Sequence, residues 1–193
     1  MNLVAIATAT TLLARMVSLN AGLHSFTATI QARVVMRSFP FLTADLAGNY
    51  YYRAPDKNRV AFTSGVPLVA QQFDKLYAHI EGPSQWQAIY DVTTVSDDGR
   101  TAHFKLVPRK RGNVTSIDAT ADDTSATVTS MRWNYNNGGY AEMTNRYGRV
   151  DGYLVIESQT GHVDEPGYVA DVTSTISDYK INPTLPDSVF ENQ

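Results

Sequence analysis

Four histidines, His24, His79, His103 and His162, are the side chains here best suited to ligate a metal or move a proton. Their spacing supports neither role. No two stand at ligand spacing and none sits in an HExxH arrangement, so each reads as a surface or structural residue. There is no GxSxG elbow, no phosphate-binding glycine loop and no GxGxxG. The chain has no cysteine, which removes thiolate nucleophiles, cysteine-ligated metals and disulfides together. The acidic pairs Asp97-Asp98 and Asp122-Asp123 are the remaining metal candidates; both fall in turn-like stretches, where a weak calcium site competes with the simpler reading of solvated turn residues. "NVT" at Asn113 matches a glycosylation acceptor, a pattern short enough to arise by chance. These readings predict a protein that is not an enzyme and holds no metal or cofactor.

Stacking on nucleic acid is the other chemistry the aromatic groups suggest. "YYY" at Tyr50 to Tyr52 and "RWNY" at Arg132 to Tyr135 could form base-stacking platforms. Strand alternation, however, sends Tyr50 and Tyr52 to one face and Tyr51 to the other. Sixteen basic against nineteen acidic residues give a formal charge of −3, so there is no electrostatic funnel for a polyanion. The one basic cluster, "RKR" at Arg109 to Arg111, reads as a solvated hairpin rim. No nucleic-acid partner is expected.

The elements that must carry any function are mostly strands. Leu3, Ile6, Leu13, Met16, Val17 and Leu23 recur at helical steps and predict an amphipathic N-terminal helix ended by Gly22. The apolar run from Leu3 to Ala14 lacks a basic flank and is too short to span a bilayer, so a helix of the mature domain is favoured over a signal peptide. Phe26, Ala28, Ile30, Ala32, Val34 and Met36 then alternate with Thr27, Thr29, Gln31 and Arg33, which predicts a long half-buried strand. Ten further strands are read at Leu46–Arg53, Arg59–Thr63, Leu76–Glu81, Gln87–Val95, Thr101–Val107, Val114–Thr120, Ala126–Tyr135, Tyr140–Tyr147, Tyr153–Gln159 and Ala170–Ile181. Turn signals at Asp98-Gly99 and Asn137-Gly138 separate them. "SGVPLVAQQFDKL" interrupts the meander and predicts a short helix or lid through Leu68, Val69 and Phe73. With no repeat or linker, residues 1–193 read as one mainly β domain: an incomplete antiparallel barrel of about eleven strands whose concave face is covered by the N-terminal helix and the short lid.

Such a sheet has to bury an apolar concave face, because large exposed apolar patches are rare and usually mark binding sites. If the covering segments fill it, the interior is an ordinary core; if they fill it loosely, the gap is a cavity for an apolar ligand.

The order of short motifs bears on that choice. "LLARMVSLNAGLHSFTATIQARV", "LAGNYYYRAPDKNRVAF", "FKLVPRK" and "YKINPTLPDSVF" together resemble the LolA/LolB superfamily of periplasmic lipoprotein carriers and their outer-membrane-lipoprotein-sorting relatives. The matches are Ser25-Phe26, Gly48 with Pro55 and Phe62, Leu106 with Pro108, and Ile181, Asn182, Leu185, Pro186, Asp187 and Phe190. They span nearly the whole chain; no one of them is specific, and their order carries the likeness. The resemblance implies an incomplete eleven-stranded barrel closed by helices and an apolar cavity for the acyl chains of a lipoprotein or lipid. It implies residence in the periplasm or another extracytoplasmic space of a diderm bacterium, any signal peptide being absent from this chain. It also implies inner-membrane donor and outer-membrane acceptor proteins, and a closing role for the tail with Phe190 sealing one edge. One departure is clear: the carriers have a basic residue directly before the turn proline, where this chain has Ala54 with Arg53 one place earlier.

The expected wall comprises Phe26, Ile30, Val34 and Met36, faced by Tyr50, Tyr52, Val60, Phe62, Leu76, Ile80, Phe104, Leu106, Met131 and Trp133. Leu13, Met16, Val17, Leu68, Val69 and Phe73 form the expected lid. The function expected is a monomeric, non-enzymatic carrier of acyl chains across the periplasm. The alternative is an envelope sensor or interaction module that uses the same curved sheet to bind a protein partner without transporting lipid.

Overall fold

β1 (Ser25–Met36) carries the alternation that its sequence predicts: Ala28, Ile30, Ala32, Val34 and Met36 are buried, while Gln31 and Arg33 are exposed. The structure is a computed structural model that describes residues 12–38, 42–63 and 82–191. Nine more strands follow: β2 (Thr43–Arg53), β3 (Lys57–Phe62), β4 (Tyr90–Asp97), β5 (Thr101–Pro108), β6 (Val114–Asp122), β7 (Thr127–Tyr135), β8 (Tyr140–Val150), β9 (Tyr153–Glu165) and β10 (Tyr168–Ile181). They form one antiparallel sheet in the order β3-β2-β1-β10-β9-β8-β7-β6-β5-β4. β1 pairs with both β2 and β10, so the first and last strands are neighbours, and among the described residues β3 and β4 are the edges. The sheet is an incomplete barrel, and all its contacts except β1·β10 join strands consecutive in sequence.

Turn chemistry explains why the meander folds back where it does. Gly99 and Gly138 both take positive φ, as their motifs predict. The β8–β9 connection uses Asp151 and Gly152, with φ of 50° and 86°, the backbone a tight two-residue hairpin turn demands. At β4–β5, Asp98 Oδ1 accepts from the amides of Arg100 and Thr101, and these bonds hold its carboxyl below the usual range. Asp122 accepts in the same way from Ser125, and Asp123 pairs with Arg15. The acidic pairs therefore act as turn and helix fasteners, and among the described residues no cluster of three or more potential metal ligands occurs.

Of three expected elements, one needs correction and two lie outside the described residues. The segment read as a strand from Gln87 begins instead as helix α2 (Pro83–Ile89), and β4 starts only at Tyr90. Pro83 fits the first helical turn, and the helix drives Trp86 wholly into the interior. The expected strand Leu76–Glu81 lies outside the described residues, as does the expected lid at 68–73; ten strands are present among the residues described.

The N-terminal helix, α1, is helical over residues 12–18 and stops before Gly22. Asn20 fastens its end to β9: its Nδ2 donates to the Leu154 carbonyl at 2.7 Å and its Oδ1 accepts from the Leu154 amide at 3.1 Å. Arg15 reaches the β6–β7 turn, pairing with Asp123 at 3.0 Å. The helix is thus pinned at two places across the concave face.

The tail is held by Asn182, which takes φ 54°. Its Oδ1 accepts from the His24 and Ser25 amides, and its Nδ2 donates to the Gly22 carbonyl. This ties the exit of β10 to the start of β1. Beyond it, Phe190 lies under the Arg53 guanidinium (4.9 Å) and the Lys57 ammonium (5.9 Å), Arg53 binds Asp187, and Arg59 binds the Val189 carbonyl. Strand alternation puts Arg53, Lys57 and Arg59 on the side of the β2–β3 hairpin opposite Tyr50 and Tyr52. Phe190 therefore clamps the outer side of that hairpin, by cation–π contact, and does not reach into the hollow.

Candidate functional site

Register assigns every strand residue to one of two faces, and the apolar ones gather on the concave side. Across β3, β2, β1 and β10 the pairings Val60↔Tyr50↔Ala28 and Phe62↔Gly48↔Ile30↔Ile176 set side chains in rows. Phe26, Ile30, Val34, Met36, Tyr50, Tyr52, Val60 and Phe62 all lie on this face, as the alternation predicts. Phe26 is the hub of its aromatic members, with Tyr50 at 5.1 Å edge-on, Tyr52 at 5.2 Å stacked and Tyr179 at 5.2 Å. Phe62 touches both the Ala28/Ile30 and the Val34/Leu46 clusters.

Phe104, Leu106, Met131 and Trp133 lie on the same face but at the other end of the sheet. There they pack with Ile117, Ala119 and Trp86, beneath Leu12, Leu13 and Met16 of α1. The structure thus brings the twelve described wall candidates onto one surface, in two separate fields. Leu76, Ile80, Leu68, Val69 and Phe73 lie outside the described residues. Among the described residues the helices contribute only to the β5–β7 field; the two clusters built on β1, β2, β3 and β10 are made of strand and adjoining residues.

Of the expected lid residues on α1, Leu13 and Met16 are buried, but Val17 is 48% exposed and does not cover the hollow. The buried stripe is centred among Leu12, Leu13 and Met16. At about 100° per residue, Val17 stands roughly 95° from that centre.

Sequence reasoning missed two kinds of site residue. Trp86, fully buried and set edge-on to Phe104 at 5.9 Å, falls between the expected strands Leu76–Glu81 and Gln87–Val95, in a stretch given no element; "GPSQW", with its helix-starting proline, was the available signal. The second kind is polar. Asn145, Gln159 and Ser174 are register partners on β8, β9 and β10, and they form a polar row between the two apolar fields. Beside them, Tyr147 Oη and Asn145 Nδ2 both donate to the Val128 carbonyl, at 2.9 and 3.1 Å. Tyr179, turned inward by the irregularity at Asp178 in β10, donates to the Ile156 carbonyl at 2.6 Å. Burial pushes the Tyr147 phenol up to about 12 and raises Tyr179 as well, so both stay neutral donors at physiological pH.

The convex face is polar and ion-paired. His162 Nδ1 lies 2.6 Å from Asp171, which also binds Arg37; His103 meets Thr120; Arg132 stacks on Tyr140. His162 and Arg37 hold the Asp171 carboxyl below the usual range. Arg53, next to the departure at Ala54, binds the Leu185 carbonyl and Asp187 of the tail. No helix among the described residues is long and apolar enough to cross a membrane.

No family model matches the sequence, and no curated protein does. Solved structures do match. A domain described as an outer membrane lipoprotein-sorting protein, from Vibrio parahaemolyticus, superposes with a TM-score of 0.70 at 10% identity, covering 97% of this chain and 96% of its own. A LolA superfamily protein from Nitrosomonas europaea gives 0.69 at 10% identity, over 95% and 97%. A DUF1329 family protein from Desulfovibrio piger gives 0.69 at 9% identity, over 97% of each chain. With full-length superposition on these structures and the open ten-stranded sheet described above, the chain has the fold of the LolA superfamily and of outer-membrane lipoprotein-sorting domains.

Proposed function

We propose that the protein is a non-enzymatic carrier that holds the acyl chains of a lipoprotein or lipid against the concave face of its sheet and moves them across the periplasm. The observation that carries this reading is the continuous apolar field of β1, β2, β3 and β10, with Ile30, Val34 and Met36 on its floor and Phe26 and Phe62 at its sides. The fold shared with lipoprotein-sorting domains supports it. The whole of 1–193 acts as one domain, and no step needs a nucleophile or a metal. Each acyl methylene removed from water contributes about 0.8 kcal/mol, so a sixteen-carbon chain brings about 12 kcal/mol that an apolar wall must match for loading and release to be reversible. The covering segments then have to yield, which requires releasing contacts such as the Arg15–Asp123 pair that pins α1 to the β6–β7 turn. Arg53 is engaged with the tail, so hand-over to an acceptor does not run through a free basic residue at Ala54.

The test is saturable uptake of a fluorescent fatty acid. Phe62→Ala removes a half-buried ring from an edge strand, where the fold tolerates loss, and is expected to weaken uptake about fivefold to tenfold with the β-rich circular dichroism spectrum kept. Uptake unaltered in the folded variant removes the β1–β3 field from the site. A wild-type protein that takes up no acyl probe at all rejects the carrier and leaves the protein-binding alternative.

A further inference from the structure

The polar row in the middle of the concave face contains one group whose hydrogen bonding is poorly matched to its burial. Gln159 is only 6% exposed. One hydrogen of its carboxamide goes to Asn145 Oδ1 at 2.9 Å, a sound bond. The same nitrogen also lies against the thioether sulfur of Met143, a weak acceptor. A buried N–H without a good acceptor is costly, and native interiors avoid it unless the site has another use. Its neighbours do not share this trait. Asn145 and Tyr147 both donate to the Val128 carbonyl, and Tyr179 donates to that of Ile156, so these three are structural.

The ground next to Gln159 is also unusual. Two residues on along β9, on the same face, stands Gly161, between Met143 of β8 and Val172 of β10. A Cβ there would meet, among the described residues, only the Glu142 carbonyl oxygen at 3.3 Å and Val172 Cβ at 3.9 Å. Among the described residues the floor therefore has a shallow dent where Gly161 carries no side chain, its base formed by the close Glu142 carbonyl, bordered by the underused donor and with an apolar field to either side.

We propose that Gln159 and the dent at Gly161 form a carbonyl-binding station, so that the ligand is an acyl ester or amide whose C=O accepts from Gln159 Nε2 while its hydrocarbon lies on the apolar fields. The assignment rests on the acyl-carrier reading and narrows it: a bare hydrocarbon would leave the carboxamide on sulfur, whereas an ester or amide carbonyl is a strong acceptor of the right polarity. No bond is made or broken; the thioether contact is exchanged for a carbonyl contact on loading and restored on release.

The experiment compares two probes on the full chain, the methyl ester of pyrenyldodecanoic acid and dodecylpyrene, with the infrared carbonyl band of the carbon-13-labelled ester as a second readout. In the wild type the ester band is expected at lower frequency than in hydrocarbon solvent. Gln159→Leu is expected to lower the ester-to-alkane affinity ratio about fivefold to tenfold and to return the band toward its hydrocarbon position. Gly161→Ala, which fills the dent and keeps the donor, is expected to lower the same ratio and gives the answer if Gln159→Leu does not fold. An unchanged ratio and band in a folded variant overturn the station and leave the carrier intact. Failure of the wild type to bind either probe overturns both.

Discussion

Trp86→Ala is expected to destabilise the protein by about 3–5 kcal/mol, the range for removing a large aromatic from a packed core. Trp86 is fully buried and meets Phe104 edge-on at 5.9 Å, in the cluster that also receives Leu12, Leu13 and Met16. It is the sole buried residue of α2, a helix of seven residues. A helix that short has no stability of its own in water, so its side-chain anchor decides whether it exists. Set against a total stability of about 5–15 kcal/mol for a domain, the loss is large. Urea unfolding followed by circular dichroism checks it: the midpoint should fall steeply, while Trp86→Phe, which keeps a ring against Phe104, should fall by less than half as much. A small shift for the alanine variant would mean that the β5–β7 field collapses around the gap.

Gly48→Val is expected to separate β3 from β2 and to reduce acyl uptake at least tenfold. A Cβ at Gly48 would clash with the Ala61 carbonyl oxygen and lie 2.8 Å from Phe62 Cα and 2.9 Å from the Ala61 carbonyl carbon. All three atoms are backbone, so no side chain can swing aside; the edge strand itself must shift. Overpacking of this kind costs about 1–3 kcal/mol, and here it displaces Val60 and Phe62, which form the outer wall of the β1–β3 field. Hydrogen exchange should show the amides of 57–62 losing protection while those of β7–β9 keep theirs. Because the Cβ is the offending atom, Gly48→Ala should already give most of the effect. Full protection in the alanine variant would contradict the close approach.

Gly48 also shows what a sequence holds and what it conceals. Its place in the motif order was visible from the LolA/LolB resemblance, but the reason for a glycine there, backbone of β3 against its α-carbon, exists only once β2 and β3 are paired. The strong periodicity of Phe26 to Met36 made β1 and its buried face legible, because a two-sided strand writes its environment at every second residue. The seven residues of α2 span less than two turns, too few for a helical period to outweigh the strand-like Val92 to Val95 that follows. Val17 was misplaced for a related reason: periodicity gives the stripe, not which edge of it meets the sheet. Gln159 could be read as the end of a strand, but its position on the concave face depends on the register of β8, β9 and β10 and on the irregularity at Arg146/Tyr147. Phe190 was legible as a residue that must dock, while its partners Arg53 and Lys57 lie more than a hundred positions away in sequence.

Native mass spectrometry of the protein released from the periplasm of a diderm host without detergent tests acyl binding most directly. A population carrying extra mass is expected, recovered by organic extraction as ester- or amide-linked acyl lipid and re-formed when such lipid is offered to the stripped protein. A folded protein that emerges bare, and stays bare in the presence of added acyl lipid, would contradict acyl binding.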